Sequence, residues 1–357
     1  MFERPLVLGI ESSCDDTACA LLDGQGRVLA SVVSSQLAAH RPFGGVVPEI
    51  ASREHLRNWP TVCEEALRRA GGRLDEVDLV AATRGPGLVG ALLVGLSLGR
   101  AIAWARGLEF HAVHHLEGHL YSPFLRTGAD RRAAETPPEE FIGLVVSGGH
   151  TSLYEVAPHG VATLAETRDD AFGEAFDKFG KRLGLPYPQG PRVDELAERG
   201  DAARARLPVA NPGKELFFSY SGLKTQALLE LEKLARRGIP TTAGPEDPSG
   251  GAFAPEVLDL LAGFRAAAVE QVIARLERLH RRRPLGLLAV SGGAAANRLL
   301  RRRIEEWAAG NGVELRLVPL VYSGDNAAMI AHCALLRHRR AASDDPRFVE
   351  ARSRLPV

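Results

Sequence analysis

Residues Pro5–Asp23 read PLVLGIESSCDDTACALLD. An apolar run, a polar turn of small and hydroxyl-bearing residues and a second apolar run predict strand, turn, strand, and RVLASVVS (27–34) supplies a third strand. The same order returns far along the chain, where FIGLVV, SGGHT and SLYEV fill residues 141–156. Two such units predict an internal duplication. Around them the pattern alternates. A helical stretch near 48–70 precedes the strand DLVAAT (78–83), and GPGLVGALLVGLSLGRAIAWA (85–105) reads as a buried helix. Helices near 171–184, 192–200 and 256–281 lead to the strand LGLLAV (285–290), another helix, the strand ELRLV (314–318) and a last helix from about Asn326. Residues 127–140 and 241–256 carry loop composition. Strands alternating with helices place the chain in the α/β class.

A chain of 357 residues favours about two domains and can bury a core without disulfides or metals for stability. Lys+Arg and Asp+Glu both number 44, so bulk charge points to neither nucleic acid nor a membrane. Arginine runs at 281–283, 301–303 and 337–340 read as solvated helix ends or as phosphate contacts. All five lysines (Lys178, Lys181, Lys214, Lys224 and Lys233) fall in one region, a weak pointer to it. Cys14, Cys19, Cys63 and Cys333 form no C-x-x-C pair, and no apolar run reaches the roughly 18 residues of a membrane span. A reducing cytoplasm and no membrane partner are the expectation.

Three turns share one chemistry: Glu11–Asp16, Ser147–Thr151 and Ser291–Asn297. Small residues let backbone N–H groups approach an anion, and the third turn opens a helix whose N-terminus favours phosphate. Together they point to a nucleotide held between domains. There is no G-x-x-x-x-G-K-[ST] and no G-x-G-x-x-G after a strand, so neither a P-loop nor a dinucleotide fold fits. Asp170, Glu174 and Asp177 have the spacing of one helical face; the readings are a solvated face, ribose recognition or organisation of a metal.

VHHLEGH (113–119) holds His115 and His119 four residues apart, about 6 Å along a helix and on one side of it. That spacing suits one ion as well as a structural pair. A protease H-E-x-x-H puts its glutamate directly after the first histidine. Here Glu117 lies about 200° round the helix from both imidazoles, at roughly 100° per residue, and is misplaced for a zinc-water base. A third ligand must come from elsewhere, and Asp325 in YSGDNAAMIAH is the candidate beside the plain reading of a helix cap. If Asp325 is a ligand, the last helix folds back onto the first domain.

These stretches, in this order, are highly specific. LGIESSCDDTACAL, GGVVPEIASREH, TRGPGLVGALLVG, HHLEGH, LVVSGGHTSL, DDAFGEAFDK, SYSGLKT, VSGGAAANRLL and SGDNAAMIAH resemble the universal tRNA threonylcarbamoyladenosine-forming transferases, once described as O-sialoglycoprotein endopeptidases. The resemblance implies an actin-like, sugar-kinase and Hsp70-like fold with an interdomain nucleotide cleft. Residues 1–126 with about 325–357 would form the domain carrying the metal site. Residues 141–324 would form the domain carrying most adenylate contacts, and 127–140 would be the linker. It implies transfer of a threonylcarbamoyl group from threonylcarbamoyl-AMP to N6 of the adenosine just after the anticodon, in tRNAs reading A-starting codons, with release of AMP. A paralogous non-catalytic actin-like partner and a small P-loop ATPase are implied in the bacterial complex.

Carried over residue by residue, His115, His119 and Asp325 would bind one divalent metal, Fe(II) before Zn(II), acting as a Lewis acid. Val145, Val146, Ser147, Gly148 and Gly149 would form the turn at the adenylate. Asp177, Gly190, Asp194 and Asn297 would be further contacts, the two aspartates accepting from ribose hydroxyls. Glu11 would lie near the phosphate turn and tune it. No general base is implied. One departure is visible: the family's Tyr-Pro-Gly-Gly-Pro reads Tyr187-Pro188-Gln189-Gly190-Pro191 here, so a positive φ at Gln189 would be strained. A metalloprotease and a non-catalytic actin-like module are the alternatives. Glu117 argues against the first, and the complete ligand set against the second.

Overall fold

The computed structural model describes residues 2–127, 134–210, 215–244 and 252–357. Lys214 and parts of the two expected loops (128–133 and 245–251) lie outside the described residues. The chain divides into two compact units, Met1–Pro138 with Val318–Val357, and Glu139–Leu317.

The first unit contains β1 (Val7–Glu11), β2 (Asp16–Leu22), β3 (Val28–Ser35), the short α1 (Leu37–His40), α2 (Pro48–Ala70), β4 (Leu79–Gly85), α3 (Val89–Arg106), β5 (Glu109–His114) and α4 (His115–Tyr121). The second contains β6 (Phe141–Val146), β7 (Thr151–Ala157), β8 (Gly160–Glu166), α5 (Phe172–Arg182), α6 (Gln189–Ala197), α7 (Ser221–Arg236), α8 (Pro255–Arg282), β9 (Leu287–Ser291), α9 (Arg298–Asn311) and β10 (Glu314–Leu317). The chain then returns to the first unit with α10 (Ala327–His338).

The two sheets repeat one topology. The first runs β3-β2-β1-β4-β5 and the second, in reverse notation, β8-β7-β6-β9-β10. In each, an antiparallel meander of three strands is followed by two parallel additions. β1 and β6 are central, so their apolar runs are buried throughout, whereas β8 is an edge with only Ala165 buried.

Strand parity positions the first unit's chemistry. Ile10 points to α3, where a side chain added at Gly95 or Gly99 would meet it. Gly9 points the other way, to α10. A Cβ there would stand 2.4 Å from the Ala327 carbonyl oxygen, so only glycine lets α10 lie this close. Glu11, two residues on, shares the α10 side of β1. The fully buried Met329 and Ile330 of α10 contribute roughly 1.5–3 kcal/mol each to holding the helix there.

Three readings change with the structure. α3 was expected to be buried, but only one side is: Ala91, Leu92, Leu96 and Ala103 are covered while Val89, Leu93 and Trp104 are exposed. By length and composition α3 could cross a membrane, yet that covered side packs on β4 and α2. Asp170, Glu174 and Asp177 do not share a helical face, because α5 begins at Phe172 and Asp170 precedes it. Asp170 instead receives the ammonium groups of Lys178 and Lys224, each at 2.5 Å, while Asp177 accepts from the Gly190 N–H at 2.7 Å. Gln189 has no positive φ; it is the first residue of α6 and is buried beside Gly180, so the departure from Gly-Gly creates no backbone strain. All four cysteines are free.

Candidate metal and adenylate sites

Each unit carries one site. In the first, β5 ends at His114 and the chain turns directly into α4, whose first residue is His115. The imidazoles of His115 and His119 sit edge to face, centroids 4.8 Å apart. Asp325 arrives from the segment before α10. Asn326, not Asp325, caps that helix by accepting from the Met329 N–H at 3.0 Å. The capping role is therefore filled by its neighbour, and Asp325 Oδ1 lies 3.2 Å from His119 Nε2 and 3.5 Å from His115 Nε2. One ligand atom from each of the three residues lies within 4.8 Å of the others.

The electrostatics suit a cation. His115 is buried, which works against its charge, but the carboxylates of Asp325 and Glu11 outweigh this and push it up to about 9. Burial likewise opposes ionisation of Glu11, and the His115 imidazole holds that carboxyl below its ordinary value. His119 Nδ1 is buried without a hydrogen-bond partner among the described residues. Two imidazoles and a carboxylate on one focus, with the buried Glu11 carboxylate behind them, are a donor set that fits a divalent ion. Glu117 is not part of it. Its carboxyl faces Arg337, Arg340 and Asp344, and burial raises its pKa.

The second unit has a cavity of about 410 Å³ lined by Phe172, Phe176, Asp177, Gly190, Asp194 and Asn297, with Gly148 and Arg298 on its wall. Of the expected turn, Gly148 reaches the cavity, while Val145 and Val146 lie within β6 with buried side chains. Ser147 organises the turn: its Oγ accepts from the backbone N–H groups of Gly149 at 3.3 Å and His150 at 3.0 Å. Opposite it, Gly292 adopts φ +95° with the Val146 carbonyl 2.3 Å from where a Cβ would stand, so the Ser-Gly-Gly turn after β9 requires glycine there.

Asp194 ties this site together. Its Oδ1 accepts from Asn297 Nδ2 at 2.7 Å and from Arg265 at 3.1 Å, and its Oδ2 from the Arg298 N–H at 3.1 Å. Asn297 in turn caps α9, accepting from the Leu300 N–H at 2.9 Å. Burial pushes the Asp177 carboxyl up, opposed by the backbone N–H groups of Gly190 and Gln189. Arg265, Phe172 and Phe176 were not singled out from the sequence. Arg265 sits among apolar residues of a long helix, and nothing local marks it as the partner of Asp194.

Two matched five-stranded units of this topology define a two-domain, actin-like α/β protein. Solved structures agree at the level of the fold. HypF from T. kodakarensis matches with TM-score 0.57 at 15% identity over 95% of this chain and 48% of that one. The activator of the 2-hydroxyisocaproyl-CoA dehydratase from Clostridium difficile matches with TM-score 0.50 at 13% identity over 94% and 96%.

The sequence comparisons are narrower. The family model described as tRNA N6-adenosine threonylcarbamoyltransferase matches residues 27–332. Enzymes of that name from Pelobacter propionicus and Syntrophobacter fumaroxidans are 48% and 45% identical to this chain. They cover 91% and 98% of it, with 90% and 99% of their own lengths matched. The chain belongs to the tRNA N6-adenosine threonylcarbamoyltransferase family. It is a transferase that places a threonylcarbamoyl group on N6 of an adenosine in tRNA.

Proposed function

We propose that the donor is threonylcarbamoyl-AMP and the acceptor the adenosine just after the anticodon in tRNAs reading A-starting codons, with AMP released. The observation that carries the reading is the convergence of His115, His119 and Asp325. These three would hold one divalent ion, Fe(II) in preference to Zn(II), because two histidines and a carboxylate leave positions open for substrate. When bound, the ion supplies Lewis-acid polarisation of the carbamoyl carbonyl.

The protein's own groups do the rest. Phe172 and Phe176 offer an apolar wall to the adenine, and Asp177 and Asp194 offer carboxylate oxygens to ribose hydroxyls. Asn297 and Gly190 complete that cavity. Of the turn Val145–Gly149, Gly148 stands on the cavity wall, and the capped start of α9 adds a helix dipole beside it, which favours departure of AMP as an anion. The amine needs little help from a base, since a mixed anhydride is already activated.

The partners are a paralogous non-catalytic actin-like chain and a small P-loop ATPase. Support for a docked partner comes from the exposed apolar side of α3, Val89, Leu93 and Trp104. The exposed Leu56 of α2 adds to it, one turn from Ser52, where α2 touches Gly90. The test is release of AMP from threonylcarbamoyl-AMP by the metal-loaded chain with its partners. Release should require tRNA and fall at least a hundredfold in His119→Ala. Release that ignores both tRNA and the substitution would refute the reading.

A further inference from the structure

The notable group left over is a carboxylate that the family reading places elsewhere. Glu11 ends β1 with no exposure to solvent, and strand parity turns it to the α10 side, away from the Ser12 hydroxyl that packs against Ala91 and Gly95 of α3. Both of its oxygens are engaged. Oε1 accepts from the Ser13 N–H at 2.5 Å, and Oε2 accepts from Thr83 Oγ1 at 2.6 Å. Oε2 also faces His115 Nδ1 at 3.0 Å. The first two contacts fix the carboxylate rigidly, so the third fixes the ring.

We infer that Glu11 is a positioning residue for the metal: it accepts the Nδ1 proton of His115 and thereby commits Nε2, whose own proton an arriving ion displaces, to the focus shared with His119 and Asp325. The inference rests on the reading of that cluster as a metal site. The physical reason is general. A ligating imidazole has two nitrogens, and a carboxylate on one selects the tautomer, orients the ring and makes the other nitrogen a better donor. The two ligands differ in this respect. His115 has its carboxylate, whereas His119 Nδ1 is buried with no partner among the described residues. His115 is thus the ligand whose geometry is set before an ion arrives. Ser13 Oγ, 3.2 Å from the same Nδ1, is the competing partner, but it carries no charge.

The test is a zinc titration of the full chain against a chromophoric chelator. It compares the wild type with Glu11→Gln, Ser13→Ala and His119→Ala, and the melting of each metal-free protein is recorded alongside. Glu11→Gln should bind zinc about 10- to 100-fold more weakly while its metal-free form still unfolds cooperatively, and Ser13→Ala should bind as the wild type does. Wild-type affinity in Glu11→Gln, or the loss appearing in Ser13→Ala instead, would overturn the assignment of Glu11 while leaving the metal site intact. Equal binding by the wild type and His119→Ala would instead sink the metal reading, and Glu11's role with it. If Glu11→Gln does not fold, Glu11→Asp, which keeps the charge and withdraws it by one methylene, must still show a loss; wild-type affinity there overturns the proposal.

Discussion

At the scale of single residues, buried histidines divide by what surrounds them. His115 lies between two carboxylates and is pushed up to about 9, against the effect of its own burial. His332 in α10 is equally buried, has no partner for either ring nitrogen among the described residues, and is pushed down to about 4 by burial, with Arg339 adding to it. A histidine whose folded value lies below its ordinary 6.5 takes up its proton more readily in the unfolded chain. It therefore withdraws stability as pH falls from 6.5 towards 4, and has no such effect above that window. His332→Leu should flatten the decline of the melting temperature across that window; a slope equal to the wild type's would show that His332 binds its proton equally well in the folded and unfolded chain. Single residues also show why part of the site could not be seen in sequence. His115 and His119 were legible because their spacing is local. The contact between Glu11 and His115 joins residues 104 positions apart and exists only once β1, β4 and α4 are assembled.

Elements carry the next set of consequences. α10 reaches the His115–His119–Asp325 cluster because Gly9 leaves room for it. Gly9→Ala should cost about 1–3 kcal/mol through overpacking against the Ala327 carbonyl, and should weaken metal binding by shifting Asp325. Denaturant melts and zinc titration of the one variant check both, and an unchanged pair of values would show that the helix has slack. α3 behaves differently, because its Leu93 and Trp104 touch solvent. Leu93→Arg with Trp104→Arg should leave the fold within about 0.5 kcal/mol and abolish co-elution with the proposed paralogous chain. Retained co-elution would place the partner on another face. Most helices and the central strands were legible from periodicity, whereas α7, β5 and β8 were not. EFHAVH in β5 carries two histidines that mask its alternation, and β8 is an edge strand whose mostly exposed residues read as loop. The acidic run at 170–177 looked helical throughout, but the lysines at 178 and 224 draw Asp170 out of register with the helix that follows.

For the molecule as a whole, the repeated strand–turn–strand unit was the informative signal. It foretold two sheets of one topology, and the structure has them. The first copy ends in a carboxylate, Glu11, and the second in a backbone turn, Ser147–Gly149. One duplicated frame thus carries a cluster suited to a cation in one unit and a cavity suited to an adenylate in the other. The candidate adenylate residues, Asp194 and Asn297 among them, could be listed from motifs, but the network that joins these two to Arg265 could not, since the three come from separate helices or their caps. The direct test of the central claim is the threonylcarbamoyladenosine content of tRNA from cells lacking their own transferase. Such cells would carry this chain with its cognate partners, or its His115→Ala variant, each confirmed soluble. The modified nucleoside is expected with the first and lost with the second. Equal modification with both would contradict a metal-holding role for the His115–His119–Asp325 cluster.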